Sequence, residues 1–92
     1  MSNKKLLLIT TKGCEGCKIL DNLIRKALST YGKDVDYEVK DKDSIDVKFL
    51  KDHHICDFPT TILYQDELIV FIFVGTKPVN VIKNYMTIHF DK

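Results

Sequence analysis

Two of the three cysteines in this 92-residue sequence stand three positions apart, in Cys14-Glu15-Gly16-Cys17. A thiolate, not a thiol, is the nucleophile and the metal ligand, and a free cysteine ionises only near pH ~8.5. Placement decides whether it ionises sooner. The pair follows an apolar run, Leu6-Leu7-Leu8-Ile9, and precedes an amphipathic one, so it falls where a strand ends and a helix begins. Unpaired backbone N–H groups and the positive end of the helix dipole favour a thiolate there. Lys12 and Lys18 push the same way, and Glu15 pushes against them. Cys14 is expected to face solvent and attack. Cys17, a turn further in, is expected to be shielded and to resolve, closing a disulfide across one helical turn. A cysteine pair alone is a weak signal, but at a strand-to-helix junction within a βαβ pattern it points to redox chemistry.

Cys56 stands apart from the pair, and its reading stays open. It is a regulatory thiol, a site for an intermolecular disulfide, a third metal ligand, or a partly buried cysteine with no role. Cys14, Cys17 and Cys56 with His53 or His54 would make a Cys₃His set suited to zinc. Their spacing matches no common finger, so no metal site is assigned, and a zinc or iron–sulfur module is kept as the alternative. The two histidines also fit a simpler role as cations closing a helix C-terminus. His89 reads as a surface or helix-end residue, and Asp57 as a solvated loop carboxylate. Tyr31, Tyr37, Tyr64 and Tyr85 sit at core-like spacings, with no base-stacking platform among them.

The elements that position these residues follow from periodicity. Lys5 to Thr11 carries apolar residues without alternation, as a strand buried on both faces does. From Lys18 the period becomes helical. Ile19, Leu20, Leu23, Ile24, Ala27, Leu28 and Tyr31 share one face, while Lys18, Asp21, Asn22, Arg25, Lys26 and Ser29 share the other. Gly32 suits the left-handed position that ends such a helix. Val35, Tyr37 and Val39 alternate with charged residues, predicting a strand with one wet face. Asp43 or Ser44 is expected to cap a short helix carrying Ile45, Phe49 and Leu50 inward, up to about His54. Strands are expected at Thr60–Tyr64 and Leu68–Val74, joined at Asp66-Glu67, where no glycine announces the turn type. Gly75-Thr76-Lys77-Pro78 offers a stop, a cap and a first-turn proline before a last helix with Val79, Ile82, Tyr85 and Met86 on its apolar face. The order is βαβαββα. No linker, repeat or low-complexity tract interrupts it, so residues 1–92 read as a single domain.

With C-E-G-C followed by lysine, F-P-T at Phe58-Pro59-Thr60, and Phe73-Val74-Gly75 ahead of the last helix, the sequence resembles the thioredoxin superfamily in its minimal, thioredoxin-like or glutaredoxin-like form. The resemblance covers nearly the whole chain. It implies a three-layer α/β/α sandwich with a mixed four-stranded sheet. It implies thiol–disulfide oxidoreduction on protein disulfides by Cys14 and Cys17, without an organic cofactor, with electrons from a thiol reductase or a small thiol. It also implies a cis Pro59 facing the pair, with Phe58, Pro59 and Thr60 receiving the substrate. Several positions depart from the pattern. Gly13 replaces the usual tryptophan, and Glu15-Gly16 replaces Gly-Pro. Leu8 stands where thioredoxins bury the aspartate that helps deprotonate the second cysteine. Gly75-Thr76-Lys77-Pro78 lacks the Gly-Gly pair and acid with which glutaredoxins hold glutathione. The other alternative is an adaptor that binds a partner through the Pro59 face without turnover.

Composition bounds the rest. Lys plus Arg number 14 against 13 Asp plus Glu, a net of +1, so there is no strongly basic nucleic-acid surface and no acidic tail. With 45% apolar and 29% charged residues the chain is ordinary globular sequence. No apolar run approaches the ~20 residues of a membrane span. The opening apolar stretch stops at Thr10, short of the ~7–15 residues of a secretory signal. These features give the expectation of a cytoplasmic monomer.

Overall fold

The structure, a computed structural model, describes residues 3–90. Strand β1 (Lys4–Thr10) runs through the middle of one mixed sheet whose strand order is β2-β1-β3-β4. It pairs in parallel with β2 (Asp36–Asp41) and antiparallel with β3 (Thr60–Gln65). Being central and covered on both faces, it buries every side chain from Leu6 to Ile9, which explains its unbroken apolar run. Strand β4 (Leu68–Val74) closes the far edge against β3. Two residues join them. Asp66 and Glu67 both take positive φ, 54° and 68°, the backbone signature of a type I′ hairpin. Asp66 is tied back by its N–H to the Asn3 carbonyl at 2.8 Å.

Helix α1 (Glu15–Tyr31) and helix α3 (Val79–Phe90) cover one face of the sheet. Their buried residues Leu20, Ile24, Ala27, Ile82, Met86 and Phe90 close on Leu6, Leu8, Leu63 and Phe73. Gly32 ends α1 at φ 77°, the left-handed cap expected of it. On the opposite face Leu7, Ile9, Ile55 and Ile62 form a second, smaller core with Ile45, Phe49 and Leu50 packed against it. The result is three layers in βαβαββα order, as the resemblance implies.

Boundaries moved in several places: β1 ends at Thr10, and β2 begins at Asp36, which leaves Val35 outside it and Val39, expected inward, exposed. Helix α1 starts at Glu15 instead of Lys18, because the helical turn is already built through the cysteine pair. The second helix is shorter and later than expected. A 3₁₀ turn at Lys42–Ser44 is capped by Asp41, and α2 (Val47–Asp52) is capped by Asp46, whose carboxylate accepts from the Lys48 N–H at 2.9 Å. Neither Asp43 nor Ser44 caps it, since each already lies inside the preceding turn. Pro78 sits just before α3, and its carbonyl accepts from Val81 and Ile82 N–H at 3.0 and 3.1 Å. No helix among the described residues is long and apolar enough to cross a membrane.

Candidate active site

The β1–α1 junction is built around sulfur. Gly13, at φ 71°, lets the chain turn out of the strand. Cys14 is the N-cap of α1, and its Sγ accepts the backbone N–H of Cys17 at 3.0 Å. Ser, Thr, Asp and Asn are the usual residues at this position, because a side-chain acceptor there satisfies an otherwise unpaired helix donor. Here the acceptor is a cysteine sulfur. Cys14 and Cys17 are joined as a disulfide with their Cα atoms 5.2 Å apart. Cys17 is only 4% exposed while Cys14 is half-buried, so the outer and inner positions fall as expected. Glu15 and Lys18, both well exposed, face each other at 3.8 Å across the first turn.

The loop before β3 approaches this junction. The Phe58–Pro59 peptide bond is cis. The Pro59 ring lies against the helix start, its Cδ standing 3.7 Å from where a side-chain Cβ at Gly16 would be. Pro59 therefore packs against Gly16, between the two cysteines. Its carbonyl accepts from the Gly75 N–H at 2.8 Å, which ties the loop to the end of β4. Among the described residues no backbone hydrogen bond uses the N–H or carbonyl of Phe58. The Phe58 side chain is half-buried and packs on the smaller core with Phe49 and Leu50. Thr60 is fully buried, and its hydroxyl donates to the Asp57 carbonyl at 2.5 Å, so it braces the loop from behind.

Cys56 is exposed, with its Sγ 3.9 Å from the Asp57 carboxylate. Among the described residues no three His, Cys, Asp or Glu side chains converge as a metal ligand set. The Cys₃His grouping that would underlie a zinc or iron–sulfur module is therefore not brought together. His53 stacks obliquely on Phe49, with ring centroids 4.5 Å apart, and His54 occupies the turn after α2 at φ 56°. His89 lies in the last turn of α3, the helix-end position read for it, and stacks on Phe71 with ring centroids 4.1 Å apart.

Beside the pair the apolar Leu8 position is as read from the sequence, while a buried threonine hydroxyl next to it and a cavity were not foreseen. Leu8, Thr61 and Phe73 form one row across the sheet, on the face covered by α1 and α3 and at the end nearest the cysteines. Leu8 is fully buried, so the position behind Cys17 is apolar. Beside it the Thr61 hydroxyl is buried with no hydrogen-bond partner among the described residues. The second feature is a cavity of about 220 Å³ between α1 and the end of β2, whose walls include Thr10, Cys14, Cys17, Lys18, Asp21 and Val39. Asp21 comes from the face of α1 that reads as solvated, yet its Oδ1 accepts the Tyr37 hydroxyl at 2.6 Å and the Arg25 Nε–H at 3.1 Å. Burial first, and then the bond to Asp21, push the Tyr37 phenol above its ordinary range, so it remains a neutral donor. The four-residue step from Cys17 to Asp21 was the available sequence signal, since such residues are neighbours on a helix.

No family model and no curated protein sequence matches this chain. Solved structures do. A single-site mutant of thioredoxin from Halobacterium salinarum superposes with a TM-score of 0.79, over 96% of this chain and 75% of that one, at 17% identity. By its architecture the chain is a thioredoxin-like domain. Its cysteine pair, at disulfide distance on the first turn of α1, fits thiol–disulfide redox chemistry.

Proposed function

We propose that the protein is a thiol–disulfide oxidoreductase acting on protein disulfides. The observation that carries this reading is the Cys14–Cys17 disulfide at the N-terminus of α1, with Cys14 half-buried, Cys17 shielded and Pro59 packed against Gly16 between them. In the reduced protein the Cys14 thiolate attacks one sulfur of a substrate disulfide, whose other sulfur leaves as a thiolate. Cys17 then loses its proton and attacks Cys14 Sγ. The substrate's second sulfur departs as a thiolate, and the two electrons gained by the substrate's two sulfurs are those lost by Cys14 and Cys17 in forming their disulfide. A thiol reductase or a small thiol restores the dithiol. The unpaired backbone of Phe58 offers an extended substrate segment one short edge to pair with, next to the attacking sulfur. We place the protein in the cytoplasm as a monomer contributing to cell redox homeostasis and thiol-linked electron transport.

The test is reduction of a protein disulfide with a thiol donor in excess. Cys14→Ser is expected to abolish turnover, and Cys17→Ser to accumulate the mixed disulfide at Cys14. Full activity in Cys14→Ser would refute the assignment. Partner capture undiminished in the double serine variant would make the chain an adaptor.

A further inference from the structure

We propose that Asp21 receives the proton of Cys17 when Cys17 attacks the mixed disulfide, and that the proton leaves sideways through the cavity between α1 and β2. This rests on the dithiol cycle above. That cycle needs the buried thiol, 4% exposed in the oxidised protein, to lose a proton while its partner sulfur is occupied by substrate. The sheet behind it offers no base. Leu8 is apolar, and the Thr61 hydroxyl beside it can relay a proton but cannot hold one. The cavity offers a base. Cys17 and Asp21 both line it, one helical step apart, where Cβ atoms are about 5–6 Å from each other. Its volume of about 220 Å³ admits bridging water, since a water molecule takes about 30 Å³.

The carboxylate is held for the task. Tyr37, reaching across from β2, and Arg25, one turn along α1, both donate to Oδ1, so neither bond occupies Oδ2. The remaining charged group in the cavity wall is Lys18. Thr10 and Thr11 at the end of β1 contribute only neutral hydroxyls, and Val39 from β2 is apolar. In the step, the Cys17 S–H proton passes through water to Asp21, the Cys17 thiolate bonds to Cys14 Sγ, and the substrate sulfur leaves with the electron pair of the broken bond. Asp21 then returns the proton to solvent across the cavity mouth. Tyr37 and Arg25 are positioning residues.

The experiment uses the full chain in a Cys56→Ser background, because the exposed Cys56 would itself react with the probe. Reduced protein is mixed with a chromogenic aromatic disulfide, bis(thionitrobenzoate). Attack by Cys14 releases one coloured thiolate, and attack by Cys17 on the resulting mixed disulfide releases the second. Asp21→Asn is expected to leave the first phase unchanged and slow the second about 100-fold at pH ~6.5, the lower end of the range for a positioned proton acceptor. The two profiles should converge above the free-thiol range, near pH ~8.5. Asp21→Glu should recover most of the rate. Tyr37→Phe, which keeps the carboxylate but releases Oδ1, should slow the second phase to a lesser degree, and it carries the test should Asp21→Asn not fold. Superimposable second-phase profiles for these variants and the parent would overturn the proposal, as would a Thr61→Val variant that reproduced the Asp21→Asn profile. A parent protein with no second phase at all would instead refute the dithiol cycle.

Discussion

Thr60 and Thr61 are adjacent, equally β-branched and both fully buried, yet replacing each with valine should move stability in opposite directions. The Thr60 hydroxyl donates to the Asp57 carbonyl. Its removal forfeits a hydrogen bond worth about 1 kcal/mol and leaves a carbonyl with one partner fewer. The Thr61 hydroxyl has no partner among the described residues, so the protein bears the desolvation cost of that group, about 1–3 kcal/mol, with nothing in return. Valine keeps the shape and the strand preference and removes the cost. Thr61→Val should therefore stabilise the oxidised protein by about 1 kcal/mol or more, and Thr60→Val should destabilise it by about 1 kcal/mol. For a domain of this length that is a shift of about 4–8 °C in Tm for each kcal/mol. Urea unfolding of the oxidised protein at neutral pH, with unchanged slope on denaturant, reads both differences. If Thr61→Val lost stability there, the hydroxyl would have a partner, and the apolar account of the space behind Cys17 would be wrong. Repeating the measurement on reduced protein adds a second reading, because a gain confined to the oxidised form would show the hydroxyl bonding the free Cys17 thiol.

Glu67→Gly should stabilise by about 1 kcal/mol, since a residue with a Cβ pays that much to hold the left-handed conformation at φ 68°; thermal unfolding checks it, and a loss would mean the Glu67 side chain makes a contact that matters. Gly16→Ala should gain about 0.5–1 kcal/mol from helix propensity, because a methyl there meets Pro59 Cδ and Thr76 Cγ2 at the ordinary distances of 3.7 and 3.9 Å; a destabilised variant would show that the Pro59 loop sits closer to α1 than this. The bond from Lys5, assisted by the charges of Lys5 and Lys40, holds the Glu38 carboxyl below its ordinary range. Its contribution is thus fully present above pH ~4.3 and is lost as the pH falls through the lowered folded value. Glu38→Gln should flatten that part of the acid limb of urea stability, and an unaltered limb would show the pair contributes nothing.

Much of this was legible in the sequence for physical reasons. The unbroken run Leu6–Ile9 marks a strand covered on both faces, and the 3.6-residue period from Leu20 to Tyr31 marks a helix with one covered face, although Ile19, read onto that face, is exposed. The first turn of α1 was not legible. Glu15 is exposed, Gly16 has no side chain and only Cys17 is buried, so no apolar period forms until the next turn. Asp46, not Ser44, caps α2, because the chain spends Lys42–Ser44 on a separate 3₁₀ turn that periodicity does not register. Asp21 was read as solvated because its neighbours on α1 are. Its partner Tyr37 is sixteen positions away and becomes adjacent only when β2 pairs with β1. Thr61 was silent for a related reason, since a threonine in a strand looks alike whether its hydroxyl is wet or orphaned.

The sulfur cap of α1 makes folding and redox state two faces of one equilibrium. Cys14 Sγ accepts the Cys17 N–H as half of a disulfide, and as a thiolate it would accept that proton with a full negative charge at the positive end of the helix. Folding therefore acts differently on the two redox forms. Around a closed cycle, whatever extra stability the reduced fold has over the oxidised one must reappear as a raised reduction potential relative to the same two cysteines in the unfolded chain. The exchange rate is about 30 mV for every 1.4 kcal/mol. Substitutions that tighten or loosen the first turn of α1, even where they touch neither sulfur, thus adjust the protein's oxidising power. Unfolding the two redox forms separately measures that adjustment without any substrate.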